Sequence, residues 1–303
     1  MANSEQTRTG KTVFFERVAL IGLGLIGSSL ARAIKARKLA GKIIGHARTI
    51  ETREKSLALG FIDEAADSAE AAVQGADLVV IAAPVGTTGA IAEEITSFLS
   101  PGAIIIDVGS VKQAVVEAVQ PHIPEGVHFV PAHPVAGTEE SGPEAGFAEL
   151  FENRWCILTP PPGTDAEAVA RVTALWRAVG SQVDIMDARH HDMILAITSH
   201  LPHLIAYTIV GTATDLENHL QQEVVKFAAG GFRDFTRIAA SDPVMWRDIF
   251  LANKDAVLEM LGRFDEDLTA LQRAIRYGDA DALEEIFTRT RDIRRSIVEA
   301  GQA

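Results

Sequence analysis

The 303 residues are 47% hydrophobic and 23% charged, an ordinary globular composition with enough apolar material for one large domain or two. A formal net charge of −13 makes nucleic acid a poor partner, and any small anion must be met by a few converging cations. The single cysteine, Cys156, excludes an internal disulfide and fits a reducing compartment. The opening MANSEQTRTGKTVFFE lacks the apolar run of a signal peptide, and no stretch reaches the uninterrupted apolar length of a membrane span. A cytoplasmic protein is expected, with disorder confined to the polar first ten residues.

Taken in order, RVALI at Arg17 to Ile21 reads as a short buried strand. GLGLIG follows, then SSLARAIKARKL with a helical apolar pattern. KIIG at Lys42 to Gly45 is a second strand, and ETREKSLALG a helix closed by Gly60. DLVVIAAP is a third strand, ended by Pro84. GAIIIDVGS, after the turn Pro101-Gly102, is a fourth, and GVHFVPAHP a fifth. RWCILTPPP and SQVDIMD flank a helix near Ala166 to Val179. Beyond Met186 the pattern is helical. One long helix starts at an Asp187 cap, and another at Asp242-Pro243 runs through SDPVMWRDIFLANKDAVLEMLGRFDEDLTALQRAI. DADALEEIFTRTRDIRRSIVEA is the last. The expected fold class is an α/β Rossmann-type dinucleotide-binding domain, residues 1–180, followed by an all-α C-terminal domain, residues 181–303.

Gly22-Leu23-Gly24-Leu25-Ile26-Gly27 matches G-x-G-x-x-G between a strand and a helix. In that context Gly22 permits the tight turn, Gly24 the approach of a pyrophosphate, and Gly27 close packing of helix on strand. The N–H groups of the helix start, from Leu25 and Ile26 on, then face the phosphates. At the end of the second strand, where an NAD site commonly holds an acid for the ribose 2′-hydroxyl, the chain reads His46-Ala47-Arg48-Thr49. Ala47 removes the repulsion of a 2′-phosphate, Arg48 can pair with one and Thr49 can donate to it. NADP is therefore slightly favoured over NAD.

Four polar clusters fall where chemistry is expected. Ser110 and Lys112 follow the fourth strand; His133, Thr138 and Glu139 follow the fifth, beyond the carboxyl ends where open α/β sheets bind ligands. His133 suits a general base near neutral pH. Ser199 and His203 share a helix face with Asp192, and Pro202 removes a hydrogen bond from that helix. His200 points elsewhere and reads as structural. His190 and His191, being adjacent, diverge, and the histidine spacing fits no common zinc pattern, so no metal is expected. Arg233 and Arg237, four apart among Phe232, Phe235 and Ile238, read as partly buried, facing either acids such as Asp234 or a substrate carboxylate.

The set IGLGLIGSS, DVGSVK, HPVAGTEESG, HHDMILAITSHLPH and GFRDFTRIAASDPVMW, in this order over about residues 16–300, resembles the prephenate/arogenate (cyclohexadienyl) dehydrogenases of tyrosine biosynthesis. The resemblance implies oxidative decarboxylation of prephenate or arogenate with NAD(P), giving 4-hydroxyphenylpyruvate or tyrosine, by a homodimer intertwined through its helical domain. It implies that His133 accepts the ring-hydroxyl proton, that Ser110 bonds that hydroxyl near the nicotinamide, and that Ser199 helps orient the catalytic histidine. It assigns His203 to the substrate side chain and Arg237 to its carboxylate. It puts Thr138 and Glu139 at the pocket mouth, Glu139 at or facing the neighbouring subunit, and Gly230, Arg233 and Asp234 in the pocket wall. Ala47 departs from the Asp of many members. The chain is expected to have no room for a regulatory domain after the last helix, so tyrosine inhibition, if present, acts by competition in the active site. The rival expectations are a related 3-hydroxy acid dehydrogenase and a non-catalytic dinucleotide-sensing protein.

Overall fold

The computed structural model describes residues 14–215, 226 and 230–299. The first ten residues, expected to be disordered, lie outside the described residues. Two units are distinguished, residues 1–254 and 255–303.

The first unit is built on six parallel strands. β1 (Phe15–Ile21), β2 (Ala40–His46), β3 (Glu64–Ala65), β4 (Leu78–Ile81), β5 (Ile104–Asp107) and β6 (His128–Phe129) stand in the order β3-β2-β1-β4-β5-β6. The chain winds outward from β1 through β2 to β3, then returns to β4 on the other side of β1. The crevice beyond the carboxyl ends of β1 and β4 is thus the switch point where such sheets take ligands.

Side chains of a strand alternate between faces, and both faces here are apolar. Val18, Leu20, Leu78, Val80, Ile104 and Ile106 enter one core with Leu30 and Ile34 of α1 (Leu25–Arg37) and with Val172, Leu175 and Trp176 of α6 (Ala166–Ala178). Ala19, Ile21, Val79, Ile81 and Ile105 enter the other. That second face is covered from α3 (Ala69–Val73), α4 (Thr88–Ile95) and α5 (Gln113–Val119), while α2 (Ile50–Ala58) follows β2.

GVHFVPAHP does not form one strand. Val130 donates from its N–H to Ile105 O at 2.9 Å, but Pro131 has no N–H with which to continue the ladder. The chain changes sheet there, and β7 (Ala132–Pro134) pairs antiparallel with β8 (Trp155–Leu158), itself parallel to β9 (Gln182–Ile185). The break delivers His133 beside the end of β5 rather than along the main sheet.

Asp187 caps α7 (Ala188–Leu195), its carboxylate accepting from His190 N at 2.9 Å. A π-helical turn, Ala196–His200, joins α7 to α8 (Leu201–Thr214). The wider turn lies just before Pro202, whose ring cannot accept an ordinary helical register behind it. Contrary to the reading from sequence, this continuous helix, Ala188–Thr214, is long and apolar enough to cross a membrane by length and composition. Its first turns nevertheless carry His191 and Asp192 into a buried polar network.

After Gly230–Thr236 (α9) and the short turn Arg237–Ala240, Asp242 caps α10 (Pro243–Ala252) by accepting from Val244 N and Met245 N at 2.8 and 2.9 Å. The single helix expected from Asp242 onward is broken at Asn253, whose buried amide bonds Asp192 O and His200 instead. The second unit consists of the helices α11 (Lys254–Tyr277, from Asp255 on) and α12 (Ala280–Glu299). Leu258, Leu268, Ile275, Tyr277, Phe287 and Ile293 are exposed on it in the single chain.

Candidate active site

The glycine turn after β1 has the shape its sequence requires. Gly22 has φ +101°, and a Cβ there would stand 2.2 Å from Ala82 O at the end of β4. A Cβ on Gly27 would stand 2.2 Å from Gly22 O, so helix and turn are in backbone contact. Over Gly24 there is open space. The first bond of α1 runs from Ser28 N to Gly24 O, and among the described residues no side chain caps the helix. The N–H groups of Leu25, Ile26 and Gly27 are therefore left for an anion, at the positive end of the helix dipole. These residues fit a dinucleotide pyrophosphate.

Past β2, the carbonyl of Ala47 accepts from Arg53 Nη1 at 2.8 Å, which fixes the turn. Thr49 caps α2, accepting from Thr52 N at 3.2 Å and donating to Thr52 Oγ1 at 2.7 Å. Its hydroxyl proton is engaged within the cap. Arg48 is exposed and pairs with no other described residue.

A buried polar cluster lies at the end of β5. Asp107 and Lys112 are both fully buried and ion-paired. Asp107 also accepts from Gly109 N at 2.8 Å and from Ala132 N at 3.3 Å, while Lys112 donates to Ala132 O at 2.8 Å. The loop bearing Ser110, which is half-buried, is thereby tied to the strand bearing His133. His133 is 7% exposed, and its Nδ1 lies 2.8 Å from His191 Nε2. His191 Nδ1 lies 2.8 Å from Asp192 Oδ1. Asp192 accepts from Lys112 N at 2.7 Å and Gln113 N at 2.9 Å, at the start of α5. Burial, reinforced by His191 and Lys112, holds His133 well below the ordinary histidine range. It is a neutral imidazole at physiological pH.

Ser199 is half-buried, and among the described residues its side chain makes no hydrogen bond; the partner of His133 Nδ1 is His191. The Ser199 carbonyl accepts from His203 Nδ1 at 2.8 Å. The His203 ring stacks on Trp246 with centroids 3.7 Å apart. Burial lowers the His203 pKa against the pull of that carbonyl, and the Arg237 charge lowers it further. His200 is fully buried, its Nδ1 3.1 Å from Asn253 Nδ2.

Arg237 is not partly buried as its neighbours suggested. It is exposed, as are Arg233 and Asp234, because Phe235 beside them is itself 42% exposed and closes no core within one chain. Arg237 Nη1 donates to Glu139 Oε2 at 3.1 Å. Thr138, also exposed, accepts from Glu140 N at 3.3 Å, and Gly230 begins α9. His191 enters the sequence reading only as diverging from His190, and Asp107 and Asn253 are not named there. Their partners are 58, 25 and 61 residues away, so no spacing announces them. The one signal was a lysine and an aspartate set five apart at the end of an otherwise apolar strand. Among the described residues, no three His, Cys, Asp or Glu side chains are grouped to hold a metal.

A doubly wound sheet, a glycine turn shaped for pyrophosphate and a buried neutral histidine beyond the strand ends define a dinucleotide-dependent dehydrogenase. Residues 30–185 match the family described as Prephenate dehydrogenase, nucleotide-binding domain, and residues 187–289 match Prephenate dehydrogenase, dimerization domain. The first match begins past the glycine turn, so the turn stands on its own geometry. The chain is 42% identical over 283 residues to the cyclohexadienyl dehydrogenase of Zymomonas mobilis, covering 93% of this chain and 96% of that one. It is 39% identical to the prephenate dehydrogenase of Bacillus subtilis, covering 92% and 75%. Among solved structures, prephenate dehydrogenase from Aquifex aeolicus in complex with hydroxyphenyl propionate and NAD+ superposes with a TM-score of 0.87 at 35% identity, covering 93% and 98%. Synechocystis arogenate dehydrogenase does so at 0.79 and 27%, covering 92% and 99%. The chain belongs to the prephenate dehydrogenase family. A likeness to Mycobacterium tuberculosis 3-hydroxyisobutyrate dehydrogenase, 14% identical with a TM-score of 0.52, shows a shared fold alone.

Proposed function

We propose that this enzyme oxidatively decarboxylates prephenate or arogenate with NAD(P), His133 acting as the general base. The observation that carries this reading is the burial of His133 as a neutral imidazole, held by β7 against the end of β5. A cyclohexadienol carbon gives up hydride only as its hydroxyl loses a proton. His133 takes that proton, Ser110 bonds the same oxygen, and Ser199 fixes His203 through its carbonyl. The bond to the ring carboxylate breaks as carbon dioxide leaves, and its electron pair completes the aromatic ring. The bound cofactor supplies the hydride acceptor. Gly22, Gly24, Leu25, Ile26 and Gly27 would hold its pyrophosphate, Arg48 and Thr49 its ribose, and Ser110 its nicotinamide end.

Both candidate substrates carry two carboxylates, in a protein of net charge −13, so local cations must hold them. Arg237 takes a carboxylate in exchange for Glu139, and His203, fixed by Ser199 and Trp246, contacts the side chain. Thr138 and Glu139 form the mouth, and Gly230, Arg233 and Asp234 the wall. Tyrosine, which shares the product's hydroxyphenyl ring and side-chain carboxylate, competes at the same place. The exposed apolar residues of the helices, Ile197, Val244, Met245 and Leu251 among them, are covered in a homodimer. A nicotinamide enzyme with one buried thiol fits the cytoplasm.

The test is a steady-state matrix of prephenate and arogenate against NAD and NADP, with His133→Asn alongside. Turnover of at least one substrate, with product showing hydroxyphenyl absorbance, is expected. His133→Asn should lower kcat by roughly 10²- to 10⁴-fold with cofactor affinity little changed, the scale of a positioned acid–base group. A kcat within threefold of the parent rejects the role. A monomer mass in light scattering at micromolar concentration rejects the dimer.

A further inference from the structure

We propose that His191 and Asp192 are a positioning pair that fixes His133 as its Nδ1–H tautomer, leaving the Nε2 lone pair to receive the substrate proton. The inference rests on His133 being the base, but it is tested by a property of the resting enzyme that does not depend on turnover.

The chain of donors runs one way. Asp192 already accepts two backbone hydrogen bonds, from Lys112 N and Gln113 N. With both oxygens already accepting from backbone N–H groups, the carboxylate is the acceptor in the 2.8 Å contact, and His191 Nδ1 donates. A neutral imidazole carries a single N–H, which makes His191 Nε2 an acceptor. His133 Nδ1 lies 2.8 Å from that nitrogen and must therefore carry the hydrogen between them. The other ring nitrogen of His133 is then unprotonated. The opposite tautomer would set two lone pairs against each other in a buried site.

The same chain serves the reaction. When His133 Nε2 accepts the hydroxyl proton, the ring becomes a cation. Its Nδ1–H then points toward His191 and, through it, toward the Asp192 carboxylate. The proton stays on His133. The other charged or titratable groups around the pair are Lys112, balanced by Asp107, His200 from the π-helical turn, and the Cys156 thiol, which burial keeps protonated. None of these offers His133 Nδ1 a competing acceptor among the described contacts.

The experiment is ¹⁵N NMR of histidine-labelled whole enzyme at neutral pH, with kinetics of His191→Leu and His191→Gln. A glutamine can still offer an oxygen to His133 Nδ1–H, whereas leucine cannot. The parent should show His133 protonated at Nδ1 and free at Nε2. His191→Leu should lose that signature and lower kcat by roughly 10- to 1,000-fold, within the ~10⁴-fold that a wrong tautomer costs a serine protease, with KM changed less than threefold. His191→Gln should keep the Nδ1–H signature and exceed His191→Leu in kcat by at least tenfold. An Nε2–H tautomer in the parent overturns the inference, and that measurement decides even if His191→Leu fails to fold. A kcat for His191→Leu within twofold of the parent also overturns it. Loss of activity in His133→Asn is a separate result, so failure of the base assignment and failure of the pair are told apart.

Discussion

The Lys112 ammonium donates to the Ala132 carbonyl at 2.8 Å, one residue before His133, and neither Lys112 nor its ion-pair partner Asp107 is exposed at all. The pair joins the end of β5 to β7 where Pro131 has broken the ladder. Removing one member of such a pair leaves the other charge buried and uncompensated, at about 3–5 kcal/mol. Lys112→Met should therefore lower Tm by roughly 6–20 °C at a fixed protomer concentration. Calorimetry showing a change of under 2 °C would mean that the strand is held by something else.

The Arg237–Glu139 pair presents the opposite case. Both side chains are well exposed, 61% and 39%, and such pairs contribute about 0–1 kcal/mol. A substrate carboxylate can therefore displace Glu139 at little cost. Arg237→Ala should raise KM for substrate by at least tenfold while changing kcat much less, because a charge-assisted contact made in the ground state is lost. An unchanged KM would remove Arg237 from the pocket.

Different parts of this molecule were legible to different degrees. The glycine turn could be read because Gly22, Gly24 and Gly27 perform their roles within six residues. The caps at Asp187 and Asp242 are equally local, as is the apolar run that buries both faces of β1. His191 was discounted because it stands next to His190 on a helix. Its contact with His133 depends on how α7 meets β7, 58 residues away, and no pattern encodes that. Asn253 escaped notice because an apolar period runs through it, and only its long-range amide contacts show why the helix stops. The exposure of Arg237 was misjudged because aromatic neighbours indicate burial only if a core is there to receive them.

Stability should depend on pH through the buried histidines. His200 is enclosed with its Nδ1 against Asn253, and burial lowers its pKa from 6.5 to about 4. The shift is shared in direction by His133 and His191. A neutral buried histidine contributes its full stability above the unfolded pKa of 6.5, and loses it as pH falls toward 4, because the unfolded chain binds the proton first. At pH 5 the His200 share of that loss is about 2 kcal/mol relative to pH 7.5. Urea denaturation at the two pH values should show the loss, and His200→Asn should flatten it. Equal or greater stability at pH 5 would contradict the burial of a neutral ring.

The cofactor choice turns on the end of β2. Ala47 offers no carboxylate to bind an unmodified ribose or to repel a phosphate, and Arg48 beside it is exposed with no partner among the described residues. We expect NADP to be used at least as well as NAD. A desolvated charge-assisted phosphate contact is worth about 1.5–3 kcal/mol, against under about 1 for an exposed pair. At 1.4 kcal/mol per tenfold, a full contact corresponds to roughly a 10- to 150-fold preference. Thr49 adds less, since its hydroxyl proton is already given to Thr52. Arg48→Ala separates phosphate pairing from stacking on the adenine face. Pairing predicts a KM for NADP that rises while that for NAD barely moves, and stacking predicts an equal rise for both. A parent enzyme with kcat/KM far higher for NAD would show that the missing acid at Ala47 does not govern selection, and would end the NADP expectation.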